Sequence, residues 1–260
     1  MGMLVGVIHL PALPGSPRAA LSAEECVASA AADARVLAEA GYDAIIVENF
    51  GDTPFFATRV PAITVAAMTA CAVAVRAAAP ALSLGINVLR NDAEAALSVA
   101  ACTGASFVRI NVHTGARVTD QGIVQGEAAS TLRLRRALAA ERVAIWADVD
   151  VKHSAPLGAP RPLVQEVEDL TKRGMADVVL VTGEGTGKGV DLEKLAAVKR
   201  ASGKPVLVAS GATLATLTAL ASASDGVVVG SALRLGGAPG GTIDAALARE
   251  LAAAFRKAFG

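Results

Sequence analysis

The chain has 260 residues, with 24 Lys and Arg against 24 Asp and Glu, and it is 53% hydrophobic and 3% aromatic. This apolar content excludes a disordered chain, while the lack of net positive charge and of aromatic residues argues against a nucleic-acid-binding protein. The length suits one large domain, because α/β barrels reach about 250 residues as a single unit.

Short apolar runs recur along the chain and predict eight parallel β-strands. They are Leu4–His9, Ala44–Glu48, Leu84–Val88, Phe107–Asn111, Val143–Val149, Val178–Val181, Val206–Ala209 and Gly226–Val229. The runs are continuously apolar rather than alternating, as expected for strands that are covered on both faces. Ala- and Leu-rich stretches typical of helices lie between them, with no linker. We therefore predict a single (β/α)8 TIM barrel domain over residues 1–260, in the α/β class.

Several residues predict where the helices begin and end. Ser22 and Glu25 have the spacing of a capping box, and Gly41 marks the end of that helix. Further N-caps are predicted at Asp92, Asp191 and Thr213, and further helix ends near Gly104, Gly174 and Gly203. The apolar stretch 60–89 is predicted to be a buried helix followed by a buried strand, because its alanines, threonines and two prolines do not suit a membrane span.

The start of the chain and its cysteines predict the compartment. The first ten residues have no basic segment of the kind that opens a secretory signal. Cys26, Cys71 and Cys102 lie in Ala-rich stretches without metal-ligand spacing, so we predict buried thiols in a reducing compartment. We expect a cytoplasmic homo-oligomer with no transmembrane segment and no nucleic-acid partner.

Polar residues gather at the carboxyl ends of the predicted strands, where TIM barrels carry their active sites. They are His9, Glu48, Asn49, Asn87, Arg109, Asn111, His113, Asp148, Asp150, Lys152, Thr182, Ser210 and Ser231. A barrel that served only as a scaffold would not need so many polar side chains at one end. The pattern therefore predicts a site for a small-molecule ligand at this mouth.

Carboxylates near two strand ends are candidates for proton transfer. Glu48 follows an apolar strand, so its carboxylate is expected to be partly desolvated, as suits a general acid or base. A salt bridge to Arg109 or Lys152 is the alternative. Asp148, Asp150 and Lys152 alternate with valines, and a continuous strand would turn all three to one side. There they would transfer protons, bind a cation or form an ion network.

Histidines and amides complete the predicted site. His9 and His113 suit proton transfer near neutral pH, although a histidine at a strand end often has only a structural role. We assign His9 to the catalytic group with Glu48, Asp148, Asp150 and Lys152. The predicted substrate-binding side chains on the strand ends are Asn49, Asn87, Arg109, Asn111, His113 and Thr182. No HxH or HExxH spacing is present, and we predict neither a metal ion nor a cofactor.

Glycines follow the last two predicted strands, in Ser210-Gly211 and Gly230-Ser231. Glycine there lets backbone N–H groups approach an anion. The pattern resembles the phosphate-binding end of barrels such as indole-glycerol-phosphate synthase and phosphoribosylanthranilate isomerase, and it predicts an anionic substrate. The Gly-rich segment Thr182–Gly189 lacks the spacing of a Walker loop and is predicted to be a flexible lid or a second anion-binding loop.

Seven segments along the chain resemble the BtpA/SgcQ family. They are GVIHLPALPGSP at 6–17, VENFGD at 47–52, GINVLRND at 85–92, RINVHTG at 109–115, TDQGI at 119–123, ADVDVKH at 147–153 and VTG at 181–183. The resemblance implies a phosphate-binding type of barrel. Members are commonly labelled phosphoribosylanthranilate isomerases, which use a cysteine and an aspartate. No cysteine stands at a predicted strand end here, so we do not expect that reaction.

Two functions from different classes remain open. The first is an enzyme that acts on a phosphorylated or ribosyl-containing small molecule by acid-base chemistry, as a lyase, an isomerase or a glycosyl-bond-cleaving enzyme. Glu48 and Asp148 would transfer protons, while Asn111 and Lys152 would orient the substrate. The second is a non-catalytic assembly factor that binds a protein or membrane surface, because the family is named for a role in photosystem I biogenesis. That function predicts a large exposed apolar patch.

Overall fold

A computed structural model describes residues 2–183, 189–237 and 239–260. Its parallel strands close into the predicted (β/α)8 barrel. In order around the barrel they are β1 (Met3–His9), β2 (Ala44–Glu48), β3 (Ser83–Asn87), β4 (Phe107–Ile110), β7 (Ala144–Val149), β9 (Val178–Val181), β10 (Val206–Val208) and β11 (Gly226–Val229), which pairs with β1. Each predicted strand is present, and its ends differ from the prediction by about one residue at most.

A small antiparallel sheet, which was not predicted, lies beside the barrel. It consists of β5 (Ala116–Thr119), β6 (Gly122–Gln125) and β8 (Ala155–Pro156), with β5 in the middle. The three strands are too short for hydrophobic periodicity to indicate them. The β5–β6 hairpin follows β4 and β8 follows β7, so the sheet joins the loops of two neighbouring barrel strands.

The helices connect the barrel strands and cover the outside of the barrel. They are α1 (Ala23–Glu39), α2 (Ala62–Ala78), α3 (Ala93–Thr103), α4 (Ala128–Ala137), α5 (Leu163–Glu168), α6 (Leu192–Ser202), α7 (Leu217–Ala221) and α8 (Ala245–Phe259). α2 and β3 confirm the prediction of a helix and a strand for residues 60–89. No helix within the described ranges is long and apolar enough to cross a membrane.

Helix caps follow the sequence closely. Ser22 and Glu25 form the predicted capping box at α1, and Asp92 and Asp191 accept backbone N–H groups at the starts of α3 and α6. The prediction for Thr213 is wrong. α7 begins only at Leu217, and the Thr213 N–H is instead bound by the hydroxyl of Thr216.

One cysteine differs from the prediction of buried thiols. Cys26 and Cys71 are buried against the barrel, whereas Cys102 is exposed. Cys102 lies on α3, where the Ala-rich sequence that surrounds it does not show which face is turned to solvent.

Strand alternation divides the core into two layers of side chains. Leu4, Ile8 and their equivalents point outward and pack against the helices. The inward residues form a separate apolar cluster, in which the rings of Phe107 and Trp146 stack with centroids 3.8 Å apart. A Cβ atom on Gly85 would lie 2.1 Å from the Phe107 ring, so glycine at this position makes room for the ring. This apolar cluster fills the barrel beneath the polar strand ends.

Candidate functional site

The inward positions at the carboxyl ends of the barrel strands β1, β2, β3, β4 and β7 carry polar side chains. These are His9, Glu48, Asn87, Arg109, Asn111 and Asp148, all buried. His9 lies opposite Glu48 in the strand register, and Glu48 lies opposite Asn87. The strand ladder therefore sets the spacing of these groups. They form a polar layer directly above the apolar cluster inside the barrel.

A cavity of about 550 Å³ opens above this layer, a size typical of small-molecule sites. The predicted residues that line it are His9, Glu48, Arg109, Asn111, Lys152, Ser210, Gly211, Gly230 and Ser231. The cavity is also lined by Arg90, Asp120 and His153, which the sequence analysis did not select. These three lie in loops, where strand periodicity gives no indication of direction.

His9 is held as a neutral imidazole. Its Nδ1 accepts a hydrogen bond from the Gly240 N–H at 3.1 Å, so its proton is on Nε2. Phe50 stacks on the ring with centroids 4.4 Å apart. Burial, assisted by the charges of Arg234 and Lys152, holds the pKa of His9 well below its usual value. The Nε2–H group is therefore a hydrogen-bond donor that carries no charge.

Glu48 has one oxygen that is bound and one that is available. Its Oε2 accepts a 2.6 Å hydrogen bond from Asn87 Nδ2. Its Oε1 lies 3.9 Å from His9 Nε2, too far for a direct hydrogen bond but within reach of a bridging substrate oxygen. The alternative prediction for Glu48 was a salt bridge to Arg109. This contact is long, because Arg109 Nη1 lies 4.0 Å from Oε2.

Asp148 does not face the large cavity, contrary to the prediction. Its carboxylate accepts two hydrogen bonds from Arg109, at 3.1 and 3.0 Å, and one from Asn111 at 2.9 Å. Its side chain is completely buried. With its oxygens occupied in this way, Asp148 is a positioning residue for Arg109, and we withdraw its assignment to proton transfer.

Asp150 and Lys152 also differ from the predicted arrangement. β7 ends at Val149, and Asp150 has a φ of 52°, so the alternation that would align the two residues with Asp148 is broken. Asp150 turns away from the mouth and pairs with Arg117 at 2.9 Å and with Lys194. It lines a smaller cavity of about 170 Å³ instead. Its catalytic assignment is replaced by the ion network that was the alternative.

Lys152 reaches the large cavity. Its backbone N–H donates to Thr182 Oγ1 at 2.9 Å, and its carbonyl accepts from Arg90 Nη2 at 2.9 Å, which fixes the loop after β7. Burial, followed by the charge of Arg109, lowers the pKa of the ammonium group, while Glu48 and Asp148 oppose this shift.

Four residues that were predicted to bind substrate do not line the cavity but hold parts of its wall. Asn49 accepts from the Leu89 N–H, Asn87 donates to Glu48, His113 Nε2 contacts the Gly174 carbonyl, and Thr182 accepts from the Lys152 N–H. Each is buried. Each has a polar atom that contacts another part of the protein, which the sequence could not show because the partners are distant along the chain.

The predicted anion-binding residues form the wall beyond β10 and β11. Gly211 has a φ of 78°, in the left-handed region that favours glycine. Gly230 has a role that the sequence did not show: a Cβ atom there would lie 3.0 Å from the His9 ring. Ser231 opens a 3₁₀ turn, Ser231–Leu233, whose first N–H groups have no acceptor within the turn. Residues 184–188 of the predicted lid lie outside the described residues.

Within the ranges that the structure describes, no group of three or more His, Cys, Asp or Glu side chains is arranged to hold a metal ion. The cavity is lined by the cations Arg90, Arg109 and Lys152 and by the carboxylates Glu48 and Asp120.

Comparison with known proteins identifies relatives over most of the chain. The BtpA family model matches residues 2–257. The Photosystem I biogenesis protein BtpA of Synechocystis sp. is 44% identical over 234 residues, which cover 89% of this chain and 80% of that protein. An uncharacterised protein of Pyrococcus furiosus is 43% identical over 228 residues, which cover 88% of this chain and 85% of that protein.

Solved structures share the fold at low sequence identity. Thiamine phosphate pyrophosphorylase from Pyrococcus furiosus matches with a TM-score of 0.62 and 15% identity, over 99% of this chain and 98% of that chain. N-(5'-phosphoribosyl)anthranilate isomerase from Pyrococcus furiosus matches with a TM-score of 0.58 and 15% identity, over 98% and 99%. At this identity the likeness establishes the TIM-barrel fold alone.

Replacing Asp148 with Asn should destabilise the fold. The substitution leaves the buried Arg109 guanidinium without a counter-charge, so we expect a loss of about 3 kcal/mol in the free energy of unfolding, measured with urea. Asp150→Asn is the matched control. Its carboxylate is partly exposed, and we expect a loss of about 1 kcal/mol or less. Equal losses in the two variants would contradict the positioning role of Asp148.

The neutral state of His9 should make stability depend on pH. An unfolded histidine has a pKa of about 6.5, and the folded pKa of His9 lies well below that. The unfolded chain therefore binds more protons in this window, and stability falls as the pH drops below about 6.5. Between about pH 7.5 and 5.5, we expect wild type to lose about 1.4 kcal/mol more than His9→Asn. If the two proteins lost the same free energy of unfolding over this pH range, as measured with urea, His9 would not be held neutral.

Proposed function

The chain belongs to the BtpA family of TIM barrels, and we propose that it is an enzyme that acts on a phosphorylated small molecule by acid-base chemistry. One observation carries the proposal. Glu48 Oε1 and His9 Nε2 stand 3.9 Å apart at the floor of a cavity of about 550 Å³ that also reaches the glycine-containing ends of β10 and β11. The cavity thus combines a proton-transfer pair with a wall suited to an anion.

The geometry supports a division of roles between Glu48 and His9. A substrate bound between them would lose a proton from carbon or oxygen to Glu48 Oε1, while the Nε2–H of His9 donates a hydrogen bond to the substrate oxygen that gains charge. Arg109 lines the same floor and stabilises that negative charge. Asp148 keeps the guanidinium in place through its two hydrogen bonds.

The number of free carboxylates favours an isomerase or a lyase over glycosyl-bond cleavage. Glycosidases usually place two carboxyl groups on either side of the bond that breaks. Here Glu48 faces the floor of the cavity, whereas Asp148 is occupied by Arg109 and Asn111. Asp120 also lines the cavity but is exposed. Proton transfer next to a carbonyl group requires only one such base, because the same carboxyl can return the proton.

The wall beyond β10 and β11 supports a phosphate group as the anion. In TIM-barrel enzymes the loops after the last two strands frequently bind phosphate through backbone N–H groups. Ser210, Gly211, Gly230 and Ser231 line the cavity in these loops. The names of the two solved barrels described above, thiamine phosphate pyrophosphorylase and phosphoribosylanthranilate isomerase, also refer to phosphorylated compounds.

Phosphate binding is tested with a charge introduced at Ser231. Wild type should be stabilised by ribose 5-phosphate but not by ribose in a thermal-shift assay. Ser231→Asp places a carboxylate at the anion wall and should weaken ribose 5-phosphate binding about tenfold or more by repulsion. Ser231→Asn has nearly the same shape without the charge and serves as the control. Equal affinities in Ser231→Asp and Ser231→Asn would rule out an anion at this wall.

Proton transfer is tested by hydrogen exchange, which does not require the product of the reaction to be identified. Ketose and aldose phosphates that bind are incubated with the protein in D2O, and exchange of the C–H next to the carbonyl is followed by NMR. Glu48→Gln should slow the exchange about 100-fold or more. Glu24→Gln, which changes an exposed glutamate on α1, should not slow it. Exchange at the wild-type rate in Glu48→Gln would exclude Glu48 as the base.

An assembly role is the second candidate, because the small sheet exposes apolar side chains. Val118 and Ile123 form a cross-strand pair that is 40% and 57% exposed, and Leu157 follows β8 with 55% exposure. The name of the Synechocystis relative refers to photosystem I biogenesis. Two results together would favour this role over the enzyme. The protein would co-sediment with lipid vesicles, with Ile123→Glu abolishing the co-sedimentation, and no sugar phosphate would stabilise it in the thermal-shift assay.

A further inference from the structure

We infer that the substrate of this site carries a second anionic group, which Arg90 and Lys152 bind at a separate place from the phosphate wall. The inference rests on the proposed function and defines its substrate class: a sugar phosphate with an additional carboxylate or phosphate. In the closed strand order, β3 lies four positions from β10 and three from β11, whereas β7 lies two from β10 and three from β11. Arg90 follows β3, so it stands across the cavity from Gly211, and Lys152 follows β7, between the two.

Arg90 is a buried cation whose guanidinium contacts a backbone carbonyl. It is only 8% exposed and lines the cavity, and its Nη2 donates to the Lys152 carbonyl at 2.9 Å. Among the described residues, no carboxylate lies within 4.0 Å of its guanidinium. Burial lowers the pKa of Arg90, and the more distant carboxylates Asp148, Glu48 and Asp120 oppose this shift. A buried charge is unfavourable unless an opposite charge or several hydrogen bonds offset its desolvation.

Other buried or half-buried arginines show how the protein satisfies such a group. Arg109 makes two hydrogen bonds to Asp148, and Arg117 pairs with Asp150 and Glu166. The guanidinium of Arg234 donates to three backbone carbonyls. For Arg90, the parts of the chain that the structure describes supply a single carbonyl. Its remaining donors are therefore suited to a ligand.

Lys152 adds a second cation at the same place. Its side chain lines the cavity, and within residues 2–183, 189–237 and 239–260 no carboxylate lies within 4.0 Å of Nζ. The hydrogen bond from Arg90 to the Lys152 carbonyl links the loops that carry the two side chains. A guanidinium and an ammonium group in adjacent loops can both contact one carboxylate or phosphate.

Asn111 indicates the chemistry between the two anionic ends. Its Nδ2 donates to Asp148, while its buried Oδ1 has no hydrogen-bond partner among the described residues. Asn111 lines both the large and the smaller cavity, so its unpaired oxygen is a candidate acceptor for a ligand hydroxyl group. A hydroxylated chain with an anion at each end satisfies Asn111, Arg90 and Lys152 together.

Three ligands with the same carbon skeleton test the inference by calorimetry. Glucose 6-phosphate has one anionic group, 6-phosphogluconate adds a carboxylate, and glucose 1,6-bisphosphate adds a phosphate. We expect at least one of the two doubly anionic ligands to bind wild type about tenfold more tightly than glucose 6-phosphate, the effect of one charge-assisted contact. The doubly anionic ligand with the larger increase in affinity over glucose 6-phosphate identifies whether the second anion is a carboxylate or a phosphate.

Variants of the two cations show where the preference arises. In Lys152→Gln and Arg90→Gln, the ratio of dissociation constants between the singly and doubly anionic ligands should fall toward one. Lys257→Gln removes an exposed lysine on α8 and should keep the wild-type ratio. Arg90→Gln also loses a hydrogen bond to the loop, so its melting temperature is measured. Lys152→Gln decides the result if Arg90→Gln does not fold.

The outcomes separate this inference from the proposed function. Suppose glucose 6-phosphate binds and Ser231→Asp weakens this binding. Suppose also that the doubly anionic ligands bind wild type less than about twofold more tightly than glucose 6-phosphate. The phosphate site then stands, and the inference is wrong. The inference is also wrong if Lys152→Gln keeps the wild-type ratio of dissociation constants. If none of the three ligands binds, and inorganic phosphate does not bind either, the proposed function fails together with the inference.

Discussion

Side chains on a β-strand alternate between two faces, and in a closed barrel one of these faces can only point to the interior. Most of the site depends on this constraint. The inward positions of the lower levels are apolar, with Phe107 and Trp146 filling the space. The last inward positions on β1 and β2 are His9 and Glu48. The apolar cluster closes the barrel from below, so these polar groups meet in a cavity that opens only at the mouth.

Burying these polar groups is unfavourable unless they have partners, and the partners determine which atoms remain for chemistry. Asp148 satisfies Arg109 with two hydrogen bonds, and Asn87 occupies one oxygen of Glu48. At the cavity surface this pairing becomes incomplete. There the second oxygen of Glu48 and the Nε2–H of His9 face each other at 3.9 Å. The unpaired groups mark where a substrate would complete the network.

The barrel and its polar layer could be predicted from the sequence because both follow from periodicity. Apolar runs indicated each barrel strand, and the last inward residues included His9 and Glu48. Periodicity shows which face a residue occupies but not its partner, so Asp148 was taken for a catalytic group although it binds Arg109. It also fails where a strand ends. Asp150 turns away because its φ is positive, which no residue pattern revealed. Arg90 was missed because it lies in a loop.

This difference between strands and loops has a consequence for how the site works. His9, Glu48 and Asn87 stand in register on adjacent strands, so hydrogen bonds of the barrel itself set their separations. Arg90, Lys152, Gly211 and Ser231 come from loops, whose geometry depends on local contacts such as the bond between Arg90 and the Lys152 carbonyl. Under the proposed function, substitutions or insertions in the loops would therefore change which anions are bound without moving His9 and Glu48. The proposed acid-base pair on rigid strands beneath loops of variable sequence would let one barrel keep its chemistry while its substrate changes.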